Sequence, residues 1–253
     1  MSDIARIIAL GASNLTRGLR TVVSAAQTSW GHDIQIFAAL GYGRSYGAPS
    51  RVAHRTLPGI LDSGLWRALE SMPQVPTRAL VTDVGNDIMY GYSVEQILSW
   101  VEEALGRLHR ITGDIILTDL PLENIQRLSG VKYLAFRSLL FRSRLLSLTQ
   151  VLQRANQINS GLAKLSAARN VKLFHLNPAW YSIDPIHIRP SRRRLAWQTI
   201  LGTGSAVQGK HCSIMEILSL CFMAPERRWI LGSERFTPQS GIILPSGGRV
   251  WLF

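Results

Sequence analysis

Five short runs of apolar and β-branched residues recur along this chain, and the segments between them are long enough to hold crossover helices. The runs cover residues 5–10, 33–39, 77–83, 114–118 and 171–176. Strands that are hydrophobic on both faces are typical of a parallel sheet covered by helices on each side. The sequence therefore predicts an α/β fold with a parallel sheet of five strands.

The length of 253 residues and the hydrophobic content of 46% are enough for one large core. We expect a main domain over residues 1–200 and a C-terminal extension over residues 201–253 that packs on it. A capping box formed by Ser93 and Gln96 predicts a crossover helix that ends near His109.

Two segments lie outside this regular alternation of strands and crossover helices. Residues 121–148, dense in Leu and Phe with basic residues between them, predict a helical insertion; it is either part of the core or a lid that contacts a membrane. The C-terminal part predicts helices over residues 191–200 and 213–222. From Arg228 onward, apolar triplets separated by Gly and Pro indicate a short β ribbon.

Polar residues follow four of the predicted strands at the point where each strand ends. They are G-A-S-N at residues 11–14, G-Y-G-R-S at 41–45, G-N-D at 85–87 and D-P-I-H at 184–187. Ligands of an open parallel sheet collect beyond the carboxyl ends of its strands. The four segments are therefore expected at one edge of the sheet.

These segments hold the residue types that ester cleavage needs. Ser13 supplies a hydroxyl nucleophile, His187 a base to take its proton, and Asp184 a carboxylate to hold the imidazole. A developing oxyanion needs hydrogen-bond donors. We expect them from the backbone N–H of Ser13 at a helix N-terminus, the backbone N–H of Gly43 and the side chain of Asn86.

In order and in position after the strands, the four blocks resemble those of the SGNH hydrolases, also called the GDSL family, over residues 5–190. The resemblance implies a flavodoxin-like three-layer α/β/α sandwich without a cofactor. The histidines other than His187 form no ligand pair at helix or finger spacing, so no metal is expected. The resemblance assigns Ser13 as nucleophile, Asp184 and His187 as its relay, and Ser13, Gly43 and Asn86 as oxyanion donors.

The sequence departs from the family pattern in the first block and leaves a choice in the second. Ala12 stands where the family usually has an Asp that braces the nucleophile loop. Among the glycines of the second block we choose Gly43, because a hydroxyl residue follows it two positions later; Gly41 remains an alternative.

A second serine competes for the role of nucleophile. Ser45 lies in G-R-S-Y-G, which fits the G-x-S-x-G elbow of α/β-hydrolases. Such an elbow requires a tight turn from strand to helix, yet Tyr42 and two glycines separate Ser45 from its strand, so we favour Ser13. We expect Asp83 to close a strand, and Asp87 to cap a helical turn or to fix the Asn86 loop.

A P-loop-like sequence is rejected on its chemistry. Residues 204–210 spell G-x-x-x-x-G-K, but His211 stands where a P-loop needs a Ser or Thr for its magnesium ion.

The net charge of +12 is concentrated between Arg127 and Lys210 and includes the run of three arginines at 192–194. The basic residues either form a solvated face or attract an acidic partner or an anionic membrane surface. No specific nucleic acid is predicted. Arg44 and Arg189 flank the proposed site residues, where each would either hold an anionic substrate group or lie on the surface.

The expected function is therefore serine ester hydrolysis through an acyl-enzyme, on a small-molecule, lipid or carbohydrate ester. The alternative is a weakly active or inactive protein of the same fold that binds an acidic partner or a membrane through its basic face. The first residues do not form a signal peptide, and Cys212 and Cys221 are interpreted as buried thiols, so we expect a cytoplasmic protein.

Overall fold

The computed structural model describes residues 5–127, 146–203 and 214–253. The main sheet contains β1 (Ala5–Leu10), β2 (Ile34–Ala39), β5 (Thr77–Val81), β6 (Asp114–Thr118), β7 (Lys172–Phe174), β10 (Ile242–Ile243) and β11 (Arg249–Leu252). The helices are α1 (Ser13–Trp30), α2 (Leu65–Glu70), α3 (Asn86–Met89), α4 (Val94–His109), α5 (Leu122–Gln126), α6 (Leu148–Ala168), α7 (Pro190–Leu201) and α8 (Ile214–Phe222).

The strands of the main sheet lie in the order β10-β11-β2-β1-β5-β6-β7, and all pairs are parallel except β10 with β11. The predicted α/β fold with its parallel sheet is confirmed. In the part of the chain described, this sheet has seven strands instead of the expected five. The additional strands come from the C-terminal segment.

Strand β11 pairs in parallel with β2, and three of the four residues of β11 are buried there. Trp251 stacks on Phe37, with ring centroids 4.4 Å apart. The C-terminal residues therefore extend the main sheet: β10 and β11 form an antiparallel pair, as in the predicted short β ribbon, and β11 joins that pair to β2. The domain boundary near residue 200 remains a proposal.

The two faces of β1 build two halves of the core. Ile8 and Leu10 face a cluster that includes the apolar sides of α4 and α6, while Ile7 and Ala9 face α1 and α7. Ser93 is the N-cap of α4 at the predicted position, and its hydroxyl accepts the N–H of Gln96 at 3.2 Å. This arrangement leaves the carboxyl ends of the parallel strands open at one edge.

A smaller antiparallel sheet lies apart from the main one, in the order β3 (Ser50–Val52), β4 (Arg55–Leu57), β8 (Arg227–Ile230) and β9 (Ser233–Phe236). Most of the predicted helical insertion, residues 128–145, lies outside the described residues. No helix within the described ranges is both long and apolar enough to cross a membrane.

Candidate active site

Ser13 lies at the junction of β1 and α1. The strand ends at Leu10, and the helix begins at Ser13 itself, so the Ser13 N–H belongs to the first turn of α1. The short connection requires Gly11, because a Cβ there would lie 2.6 Å from Cγ2 of Thr82. The side chain of Ser13 is buried, with the residue 7% exposed.

The side chains of Ser13, His187 and Asp184 form a continuous hydrogen-bonded chain. Nε2 of His187 lies 2.9 Å from Oγ of Ser13, and Nδ1 lies 2.6 Å from Oδ2 of Asp184. The other carboxylate oxygen of Asp184 accepts the backbone N–H groups of Ile186 and His187, each at 3.2 Å. The three residues predicted as a relay are thus in mutual hydrogen-bond reach.

The surroundings of Asp184 favour its ionised form. Burial alone would raise the pKa of this carboxyl, but the hydrogen bond and charge of His187, together with the two backbone N–H groups, lower the pKa below its ordinary value. Asp184 is therefore an anion across the neutral pH range and can stabilise a protonated imidazole.

Asp83 braces the nucleophile turn from the neighbouring strand. Its Oδ2 accepts the backbone N–H groups of Ala12, Asn14 and Leu15 at 2.8, 3.0 and 3.1 Å. The residue follows β5 with a φ of 61°, a left-handed conformation that aims its carboxylate at the start of α1. Asp83 lies just beyond the end of its strand, as expected, and its carboxylate also braces the turn that contains Ala12.

Asn14 connects the nucleophile turn to the loop of His187. Its Nδ2 donates to Oδ1 of Asp83 at 2.9 Å and to the carbonyl of Ile186 at 2.8 Å. Its Oδ1 accepts the N–H of Ile188 at 2.9 Å. This role of Asn14 was not predicted from the sequence, where its signal was a polar amide directly after the nucleophile.

The structure places Asn86 beside Ser13 but does not establish the same for Gly43. Asn86 lines the same cavity as Ser13, and its Nδ2 is buried with no hydrogen-bond partner among the described residues. Gly43 has a φ of 63°, and its carbonyl accepts the Tyr90 hydroxyl at 2.6 Å. Gly43 does not line that cavity, so its role as an oxyanion donor remains a prediction.

Asp87 ties the Asn86 segment to the second loop. Its Oδ2 accepts the N–H of Tyr46 at 3.0 Å, in agreement with one of the two roles expected for it. Burial raises the pKa of Asp87 to about 6, although hydrogen bonds from Ser45 and Tyr46 act to lower it.

Ser45 and Arg44 are interior residues of the second loop. Ser45 is fully buried and its hydroxyl accepts the N–H of Ala48 at 3.1 Å, whereas the ring of His187 is bonded to Ser13. Arg44 is also fully buried and donates to main-chain oxygens of Leu40, Pro58 and Phe253. The suggestion that Arg44 binds substrate was wrong, because its guanidinium is enclosed and its hydrogen bonds connect the main chain of three separate segments.

Burial and the charge of Arg55 lower the pKa of Arg44 to about 9. Even so, the guanidinium remains protonated at neutral pH. The second loop therefore encloses a buried positive charge.

Comparisons with known proteins agree with the fold that this geometry suggests. No protein-family model matches the sequence, and no curated protein matches it. A solved structure of Est24, a carbohydrate acetylesterase from Sinorhizobium meliloti, matches with a TM-score of 0.52 at 13% identity and covers 78% of this chain and 97% of its own.

Two further solved structures are similar to the chain. A member of the lipolytic protein G-D-S-L family from Veillonella parvula matches with a TM-score of 0.51 at 13% identity, covering 80% of this chain and all of its own. The inhibitor-bound aryl esterase of M. smegmatis gives 0.51 at 14% identity, with 78% and 96% covered. The chain has the SGNH hydrolase fold. At these identities the likeness concerns the fold alone.

Within this SGNH fold, Ser13 opens onto a narrow cavity of about 100 Å³. Most of its lining is apolar and comes from α3, α5, α6 and the ends of the strands: Val84, Ile88, Met89, Leu120, Ile125, Val151, Ala155, Leu176 and Ile186. Such a lining suits an aliphatic group better than a polar one.

A second, more open cavity of about 510 Å³ contains Arg189, the other arginine suggested for substrate binding. It shares Tyr181 and Pro185 with the cavity of Ser13. One terminal nitrogen of Arg189, Nη2, donates to the carbonyl of Ala179 at 2.6 Å. Arg189 therefore lies next to the candidate active site and not inside it.

Other candidate sites remain unsupported. In the described part of the chain, no group of three or more His, Cys, Asp or Glu side chains is arranged to hold a metal ion. The P-loop-like segment and Cys212 lie outside the described residues, as does the side chain of Cys221.

Proposed function

We propose that the protein is a serine ester hydrolase of the SGNH type that works through an acyl-enzyme on Ser13. The observation that carries the proposal is the chain of hydrogen bonds from Ser13 to His187 and from His187 to Asp184, at 2.9 and 2.6 Å. The fold shared with solved esterase structures and the order of the four sequence blocks support the same reaction class.

In the first half-reaction, Oγ of Ser13 attacks the acyl carbon while Nε2 of His187 accepts its proton. The ester carbonyl oxygen becomes an oxyanion, which would accept hydrogen bonds from Nδ2 of Asn86 and the N–H of Ser13, with Gly43 as a third predicted donor. When the intermediate collapses, the C–O bond to the alcohol breaks, and His187 returns its proton to the leaving oxygen.

In the second half-reaction, water attacks the acyl-enzyme and His187 accepts its proton. Collapse then breaks the bond between the acyl carbon and Oγ, and the proton returns to Ser13 as the carboxylic acid leaves. Asp184 keeps the imidazole oriented and stabilises its protonated form in both halves. Transfer of the acyl group to another alcohol would use the same residues.

The unpaired Nδ2 of Asn86 supports the oxyanion assignment. A buried donor without an acceptor costs about 1–3 kcal/mol, and an oxyanion would satisfy this group only during the reaction. The small apolar cavity beside Ser13 supports a short acyl chain as the group that is transferred.

Hydrolysis of nitrophenyl esters with acyl chains of two to eight carbons tests the proposal. We expect a pre-steady-state burst of nitrophenol, as an acyl-enzyme accumulates, and a preference for short chains. Ser13→Ala should lower kcat/KM on the order of a thousandfold or more, while Ser45→Ala keeps the activity. Full activity in Ser13→Ala would contradict the proposal.

A further inference from the structure

The second cavity, which we call the basic cavity, has polar walls and a positive charge. Its polar lining residues are Asn124, Arg127, Asn177, Ser182 and Arg189. No acidic side chain lines it among the described residues. Tyr181 and Pro185 line both this cavity and the apolar cavity of Ser13, so the two cavities adjoin each other.

Two hydrogen-bond donors in the wall of the basic cavity are buried and unpaired. Nδ2 of Asn124 and Nε of Arg189 have no partner among the described residues, and Asn124 is only 8% exposed. Unpaired buried donors are rare, because folding removes their water without returning an acceptor. Two such donors, in residues that line one cavity, favour that cavity as a binding site for a hydrogen-bond acceptor.

The positive charge of this cavity is only weakly compensated. Arg189 donates to a neutral carbonyl, that of Ala179. Arg127 lies 3.7 Å from Glu123, but both side chains are more than 60% exposed, so water screens the pair. The nearby carboxylate of Asp184 is already bonded to His187.

We propose that the basic cavity binds a carboxylate on the alcohol part of the substrate, so that the enzyme prefers anionic esters. The inference rests on the proposed function, since it assigns the apolar cavity to the acyl chain and the basic cavity to the leaving alcohol. Arg189 would bind the carboxylate by a charge-assisted hydrogen bond from Nε, and Asn124 would donate from its amide.

The test compares two esters: nitrophenyl butyrate, and the same ester with a carboxylate on the nitrophenyl ring. The measured quantity is the ratio of kcat/KM for the anionic ester to that for the neutral one. This ratio is independent of the fraction of folded enzyme. In Arg189→Gln we expect the ratio to fall about 10–100-fold, as the loss of a charge-assisted hydrogen bond predicts.

Two further variants and one control define the cause. Arg189→Lys keeps the charge and should lose less than Arg189→Gln, whereas Asn124→Asp adds a negative charge and should also lower the ratio about tenfold or more. Arg192→Gln removes an equal charge from an exposed position three residues away and should leave the ratio within about twofold of wild type.

An unchanged ratio in both Arg189→Gln and Asn124→Asp would overturn the basic-cavity proposal, as would an equal fall in Arg192→Gln. The proposed function would stand in either case, provided the neutral ester is hydrolysed with a burst that requires Ser13. An enzyme that hydrolyses neither ester would overturn both proposals.

Discussion

The turn that carries Ser13 joins a central strand to a long helix and is braced by Asp83, whereas the loop that carries His187 has no regular secondary structure. Ser13 follows a fully buried central strand directly and begins an 18-residue helix. His187 comes well after β7, a three-residue edge strand, in a segment without regular secondary structure. Its position is set by the bonds of Asp184 and Asn14.

This difference predicts how activity and stability respond to substitutions in each half of the site. Changes to the nucleophile turn disturb the start of α1 and therefore stability as well as activity. Changes to the His187 loop affect the orientation of the base and should leave most of the core intact. The two halves should respond differently to substitution and to pH.

Removal of the base should have the largest effect. His187→Gln is expected to lower kcat/KM by about 10³–10⁴-fold, because the proton acceptor of the reaction is removed while the sheet and the nucleophile turn stay intact. His175→Gln is a matched control, since His175 also pairs with an Asp at a strand end, Nδ1 to Oδ2 of Asp119 at 2.8 Å, but is exposed. Equal losses of nitrophenyl ester hydrolysis in both variants would contradict the assignment.

Removal of the Asp83 carboxylate should affect stability most. Asp83→Ala leaves three N–H groups of the nucleophile turn without their acceptor, so we expect a loss of about 3–4 kcal/mol in the free energy of unfolding and a lower kcat. Asp114→Ala breaks only a surface ion pair with Arg78 and should cost less than about 1 kcal/mol. Urea unfolding of both variants distinguishes them; a similar small loss in each would show that Asp83 does not brace the turn.

Two carboxylates of the site should give opposite contributions to the pH dependence of stability. The pKa of Asp87 is raised to about 6, so its ionisation opposes folding as pH rises from about 4 to about 6. The pKa of Asp184 is lowered, so its contribution is present above the ordinary Asp pKa and disappears as pH falls through the lowered value.

Asp87→Asn should therefore gain stability relative to wild type across pH 4–6, by about 2–3 kcal/mol at the upper end. Unfolding curves measured at half-unit steps of pH give this difference. A constant difference between variant and wild type over that range would show that Asp87 does not titrate there.

The connection made by Asn14 should have the smallest of these effects. Asn14→Ala removes the bonds to Ile186 and Ile188, so the His187 loop loses its link to the nucleophile turn, and we expect kcat to fall about tenfold. Asn156→Ala, at an exposed position on α6 where the amide bonds only its own helix, should retain wild-type kcat. An intact kcat in Asn14→Ala would mean that Asp184 alone holds the loop.

Features that depend on a local pattern of residues could be predicted from the sequence. Continuous apolar runs predicted the parallel strands, and polar residues at their ends predicted that Ser13, Asp184 and His187 would meet. The Ser93 N-cap likewise located the start of α4, since its bond to the N–H of Gln96 lies within four residues.

Features that depend on distant neighbours could not be predicted in this way. Asp83 braces Ala12 only because β5 lies beside β1 and because its backbone is left-handed. The run of β11 was assigned to a short ribbon, and its place in the main sheet was missed because the run gains its burial from β2. Arg44 resembled a surface cation, and only the fold encloses it beneath Phe253.

The central claim is that Ser13 is the nucleophile and His187 activates it. Treatment with a fluorophosphonate, followed by peptide mass spectrometry, tests this directly. We expect one phosphonyl adduct on the peptide that contains Ser13, absent in Ser13→Ala and formed far more slowly in His187→Gln. An adduct on Ser45, or unchanged labelling in Ser13→Ala, would contradict the account.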